Sequence, residues 1–98
     1  MQDEVAVVVG RRFRIILVEV PSSGHVWSIR YIPSAIRLLG TEYVGSPPQE
    51  VGGSYEKQFT FVANRVGQFI IPFELRRPWE SGPTEVREVR LLVSSDQA

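Results

Sequence analysis

Gly67-Gln68-Phe69-Ile70-Ile71-Pro72-Phe73-Glu74-Leu75-Arg76 is the stretch on which the fold turns. Phe69, Ile71, Phe73 and Leu75 alternate with Gln68, Ile70, Pro72 and Glu74, and a period of two marks a half-buried β-strand. Pro72 removes a ladder donor and so points to an edge position or a bulge. The stretch runs straight into Arg77-Pro78-Trp79-Glu80 and the turn signal Ser81-Gly82-Pro83. Proline fixes its own backbone and pushes Arg77 towards extended geometry, so Trp79 is presented from a stiffened loop, either towards a partner or folded back over the core edge. Trp and Arg are also the side chains most enriched at binding hot spots.

The same alternation recurs in both directions along the chain. Residues 5–9 form a β-branched run ending at Gly10, and residues 11–20 put Phe13, Ile15 and Leu17 on one face. Residues 25–32 carry Trp27, Ile29 and Tyr31 in phase, which marks Trp27 as core. Residues 36–44 read as a strand, although 35–44 also accommodates a short helix. In residues 55–63, Tyr55, Phe59 and Phe61 oppose Glu56, Gln58 and Thr60; in 85–93, Val89, Leu91 and Val93 point inward. Residues 94–98 read as a frayed polar tail. Seven short strands separated by turn signals predict an all-β chain, an immunoglobulin-like antiparallel β-sandwich forming one domain over residues 1–98.

Composition narrows the functions available. Eleven basic and eleven acidic residues cancel to a net charge of zero, so nothing favours nucleic acid or an anionic membrane as partner. No apolar run approaches the roughly 20 residues that cross a bilayer. There is no cysteine and only one histidine, which removes thiolate chemistry and leaves no pattern for a metal or other cofactor. The start, Met1-Gln2-Asp3-Glu4, lacks the basic and apolar regions of a signal peptide. The expectation is a cytoplasmic protein, or a periplasmic or secreted form in which Met1 replaces a removed signal.

Three connections differ from the rest. Residues 21–25, 45–54 and 76–84 are the richest in proline and glycine and the least patterned. In a seven-stranded antiparallel sandwich the loops after strands two, four and six emerge at one end, as the recognition loops of immunoglobulin domains do. The other end has the tighter links at Gly10, Pro33-Ser34 and 64–67. A binding end and a structural end are therefore expected, because loops carried on a rigid scaffold are where function concentrates. Gly52-Gly53 lets the backbone of the middle loop approach a surface closely. A glycine finger between two firmer loops suits entry into a cleft.

In order and spacing these residues resemble the chagasin-type inhibitors of papain-like cysteine proteases, an immunoglobulin-like family with three loop motifs. Pro21-Ser22-Ser23-Gly24-His25-Val26-Trp27 is similar to the family's N-P-T-T-G-Y-x-W; Gly52-Gly53, leading to Phe59-Thr60-Phe61, to its Gly-rich loop; and Arg77-Pro78-Trp79 to its R-P-W. Val20 stands where the family has Asn, and so lacks a side chain that bonds neighbouring turn backbone. Ser22 and Ser23 keep the hydroxyls of the two Thr, and His25 keeps a planar ring. The resemblance implies reversible competitive occlusion of a cathepsin-like protease by a monomer. It assigns protease contact to Pro21, Ser22, Ser23, Gly24, His25, Gly52, Gly53, Ser54, Arg77, Pro78 and Trp79, with Trp79 as principal anchor.

Three other readings compete. Ser22, Ser23 and His25 lie close together, but no G-x-S-x-G elbow or nearby acid completes a hydrolase site. Gln49-Glu50-Val51-Gly52-Gly53 fits the cystatin motif Q-x-V-x-G, yet a cystatin needs a long helix ahead of it and residues 5–44 alternate as strands. An immunoglobulin-like adhesion or structural module shares the fold, but has no need of Pro-Trp and Gly-Gly at one end.

Overall fold

A computed structural model describes residues 2–45 and 53–95 of the 98-residue chain. Seven strands follow in order: β1 (Gln2–Val8), β2 (Arg12–Glu19), β3 (Val26–Ile29), β4 (Ile36–Val44), β5 (Tyr55–Ala63), β6 (Gly67–Arg76) and β7 (Glu85–Ser94). Residues 36–44 take the strand option. Among the described residues the only helical element is a 3-10 turn at Pro21–Ser23, so the helix that a cystatin needs is missing there.

Two sheets form the sandwich, one ordered β1-β7-β6-β3 and the other β2-β5-β4. All pairings are antiparallel except β1 with β7, which run parallel from Gln2↔Glu88 to Val8↔Ser94. Ser94, expected in the loose tail, is instead the last rung of that pairing and accepts the Val9 N–H at 2.8 Å. Inward residues of both sheets meet in one core. Ile15, Leu17, Ile36, Phe59, Phe61 and Ala63 come from the smaller sheet, and Val7, Trp27, Ile71, Phe73, Val89, Leu91 and Val93 from the larger. Phe73 spans the two layers, its ring centroid 5.1 Å from that of Phe59.

Pro72 corrects an expectation. It lies in β6, an interior strand between β7 and β3, and the β6–β7 register passes through it without a bulge. The ladder tolerates it because its nitrogen faces β3, whose pairing stops at Ile29↔Phe73. The Pro72 carbonyl still accepts the Arg30 N–H at 2.9 Å, but proline has no N–H to return. The same fact explains why β3 ends at Ile29 rather than 32, and why Tyr31, expected on the core side, is 59% exposed.

Register also decides which loops are neighbours. Glu19↔Tyr55 and Val44↔Glu56 bring the stems of the first two loops together, and Val26↔Arg76 joins the first to the third. At the opposite end Gly10 N–H bonds the Ala63 carbonyl at 2.9 Å and Asn64 N–H bonds that of Ala35 at 2.7 Å. The expected division into a loop end and a tightly tied end holds.

Candidate functional site

The first loop folds on itself without the missing Asn. Pro21 opens the 3-10 turn, where its lack of an N–H costs nothing. Ser23 then donates twice to the Val20 carbonyl, from Oγ at 2.7 Å and from its backbone at 3.0 Å. The His25 N–H returns to Ser23 Oγ at 3.2 Å. Gly24 closes the turn in left-handed geometry, φ 78°, which a residue with a Cβ adopts only at a cost.

The third loop is locked to the first. Arg77 Nε donates to the Ser23 carbonyl at 3.0 Å, and its Nη1 lies 3.3 Å from Glu80 Oε1. Thr84 Oγ1 and His25 Nε2 pair at 3.0 Å, so the histidine ring braces the first and third loops. Trp79 lies over Gly24, close enough that a Cβ there would come within 2.9 Å of its Cη2 atom. The Arg77 guanidinium carbon is 6.0 Å from the Trp79 ring centroid. Even so, Trp79 remains 73% exposed. Of the residues singled out from the sequence, Pro21, Ser22, Ser23, Gly24, His25, Arg77, Pro78 and Trp79 therefore gather on one rim. Gly53 and Ser54 precede β5 at the same end. Gly52 and most of the middle loop lie outside the described residues.

Beneath this rim lies a polar cluster that the reading of the sequence overlooked. Glu19, 4% exposed, accepts the Trp27 N–H on Oε2 at 2.9 Å and the Tyr43 hydroxyl on Oε1 at 3.0 Å. Lys57 Nζ stands 3.4 Å from Glu19 Oε2 and donates to the Trp27 carbonyl at 2.7 Å. The Trp27 indole N–H bonds the Val18 carbonyl at 3.0 Å. Burial, reinforced by the hydrogen bond to Glu19 and its charge, pushes the Tyr43 phenol up to about 12. Tyr43 and Tyr55, one on each stem of the middle loop, meet edge to face at 4.6 Å. The cluster thus ties both stems of the first loop to both stems of the second. A buried pair left half-satisfied is strongly destabilising, which makes the loop bases rigid. Its signal was present in the sequence: Glu19 and Lys57 each interrupt an inward apolar series, Ile15-Leu17-Glu19 and Tyr55-Lys57-Phe59, with charges of opposite sign.

Residues 6–93 match the chagasin family peptidase inhibitor I42. The chain belongs to the chagasin family. Solved structures agree on the fold. One is the cysteine protease inhibitor EhICP2 from Entamoeba histolytica, at TM-score 0.70 and 20% identity over 95% of this chain and 96% of that one. Amebosin is similar at TM-score 0.70 and 20% identity, with 93% and 88% of the two chains covered. PbICP-C, solved in complex with falcipain-2, is similar at TM-score 0.58 and 16% identity, covering 98% and 90%. No curated protein sequence matches the chain. Chagasin-family proteins are peptidase inhibitors, which sets the hydrolase reading aside.

Proposed function

We infer that this chagasin-family protein inhibits papain-like cysteine proteases by reversible, competitive occlusion of the active-site cleft with its loops 21–25, 45–54 and 76–84. One observation carries the reading: Trp79 is held in place by Gly24 and Arg77 yet left 73% exposed. An aromatic left in water forgoes on the order of 2 kcal/mol of burial, a cost that a partner's pocket recovers. Because the first and third loops are braced against each other before binding, little ordering entropy in them remains to oppose association. An interface of standard size, about 1,600 Å² in total, is within reach of three neighbouring loops. The names of the similar folds, a cysteine protease inhibitor and a chain solved with falcipain-2, support the target class.

In this reading Pro21 to His25 and Arg77 to Trp79 grip the two sides of the cleft. Gly52, Gly53 and Ser54 enter near the catalytic Cys–His pair. Titration against papain and a cathepsin with a small fluorogenic substrate tests it. Apparent KM should rise with inhibitor while kcat stays constant, and activity should return on dilution. No inhibition at micromolar concentration would leave an adhesion module as the account of the loops.

A further inference from the structure

The arginines of the two sheets are treated differently. On the larger sheet Arg30 and Arg76 lie 3.6 and 3.9 Å from Glu74, Arg87 lies 3.6 Å from Asp3, and Arg90 is in register with Glu4. On the smaller sheet Arg12 and Arg37 flank Val62 in one row, and Arg14 stands in the next, beside Thr60 and Gly40. All three are exposed on the outer face, and none of them joins an ion pair among the described residues. Strand geometry puts Arg12 and Arg14 about 7 Å apart and Arg12 and Arg37 about 10 Å apart at their Cα atoms. At these spacings exposed like charges repel one another, weakly and subject to screening by salt, and a bound anion would relieve that repulsion.

We propose that this face docks a linear sulfated polysaccharide, held by Arg12, Arg14 and Arg37 at the end of the sandwich away from the loops. Guanidinium forks suit tetrahedral oxyanions. A groove crosses the face between Arg12 and Arg14 on β2 and Leu39, Gly40 and Glu42 on β4, with Thr60 of β5 between them. The Thr60 hydroxyl and the Glu42 carboxylate offer hydrogen bonds to sugar hydroxyls. Phe13 alone among the residues lining the groove is aromatic, and its ring is packed against the core, 5.6 Å from that of Phe61. The register rows from Arg12 to Val18 place no aromatic on the outer face, which disfavours single-stranded nucleic acid, where bases need rings to stack on. Glu19↔Tyr55 lies at the other end of the same strand pair from Arg12↔Val62, so glycan and protease can be held together.

The test is binding of a heparin-derived octasaccharide by the full chain, measured calorimetrically at low and at physiological salt. Binding should weaken as salt rises and fall about tenfold in the Arg12→Ala/Arg14→Ala/Arg37→Ala variant. Gly40→Glu should give a similar loss with the fold intact, because a Cβ at Gly40 meets nothing within 4 Å. Arg90→Ala and chemical desulfation provide the contrast: the first should bind as the wild type does, and the second should abolish binding. Absence of binding at low salt would overturn the proposal, as would indifference to the three arginines. Equal binding of oligonucleotides or anionic vesicles through the same arginines would overturn the assignment to a saccharide. Competition between the octasaccharide and protease inhibition would place the glycan on the loops and refute the assigned face.

Discussion

Trp27 and Trp79 lie at the same end of the sandwich, linked through the pairing Val26↔Arg76, yet one is 4% exposed and the other 73%. Trp27 sits on an inward position of β3, and both of its N–H groups are satisfied, by Glu19 and by the Val18 carbonyl. Arg87 also stands 5.6 Å from its ring centroid. Trp79 follows a proline in a loop that leaves the ladder, and it rests on a residue with no side chain. The same side chain therefore serves as structural anchor in one case and as surface held ready for a partner in the other. Backbone context decides which: a ladder position that alternates inward buries an indole, and a braced loop displays it.

The sharpest way to break this contrast is to truncate each ring. Trp27→Ala should cost about 3–5 kcal/mol of stability, read by denaturant unfolding. A loss under about 1 kcal/mol would refute its role as anchor. Trp79→Ala should weaken protease inhibition by about 2 kcal/mol, roughly 30-fold in the inhibition constant. Stability should stay within about 0.5 kcal/mol, and a large fall in Tm would show that the exposed ring is structural after all. Gly24→Ala probes the seat itself. Its φ of 78° and the 2.9 Å approach to the indole should together cost on the order of 1 kcal/mol and displace Trp79, so inhibition should weaken as well.

The smallest effect concerns the cluster under Trp27. Because the Tyr43 phenol is raised from 10.0 to about 12 in the folded protein, the folded state favours its neutral form. That contribution is whole below pH 10 and is lost as pH rises towards 12. The Tm advantage of wild type over Tyr43→Phe should shrink across that window. An advantage that held constant to pH 12 would mean that the phenol does not interact with Glu19 as described.

Much of this was legible in local pattern. Alternation in residues 12–19, 55–63 and 67–76 marked strands and their inward faces, since a strand half in water must repeat every two residues. The display of Trp79 was expected from the proline-stiffened Arg77-Pro78 taken together with the two other unusual loops at the same end, and the structure leaves it 73% exposed. Pro72 was misplaced because its tolerance depends on where a different strand stops. Glu19 and Lys57 were missed because each is unfavourable inside a core until the other is beside it, and residues 38 apart in sequence meet only through the register Leu17↔Lys57 and Glu19↔Tyr55.

By itself the sequence determined most of the strands and their buried faces, and the three unusual loops, since these depend on side-chain period and on the backbone limits of proline and glycine. Tertiary structure alone decided that β1 joins β7 in parallel, that Arg77 and His25 lock two loops into one rim, and that a buried carboxylate holds the loop stems. Those outcomes rest on contacts between distant segments, whose energies exist only once the sheets have paired.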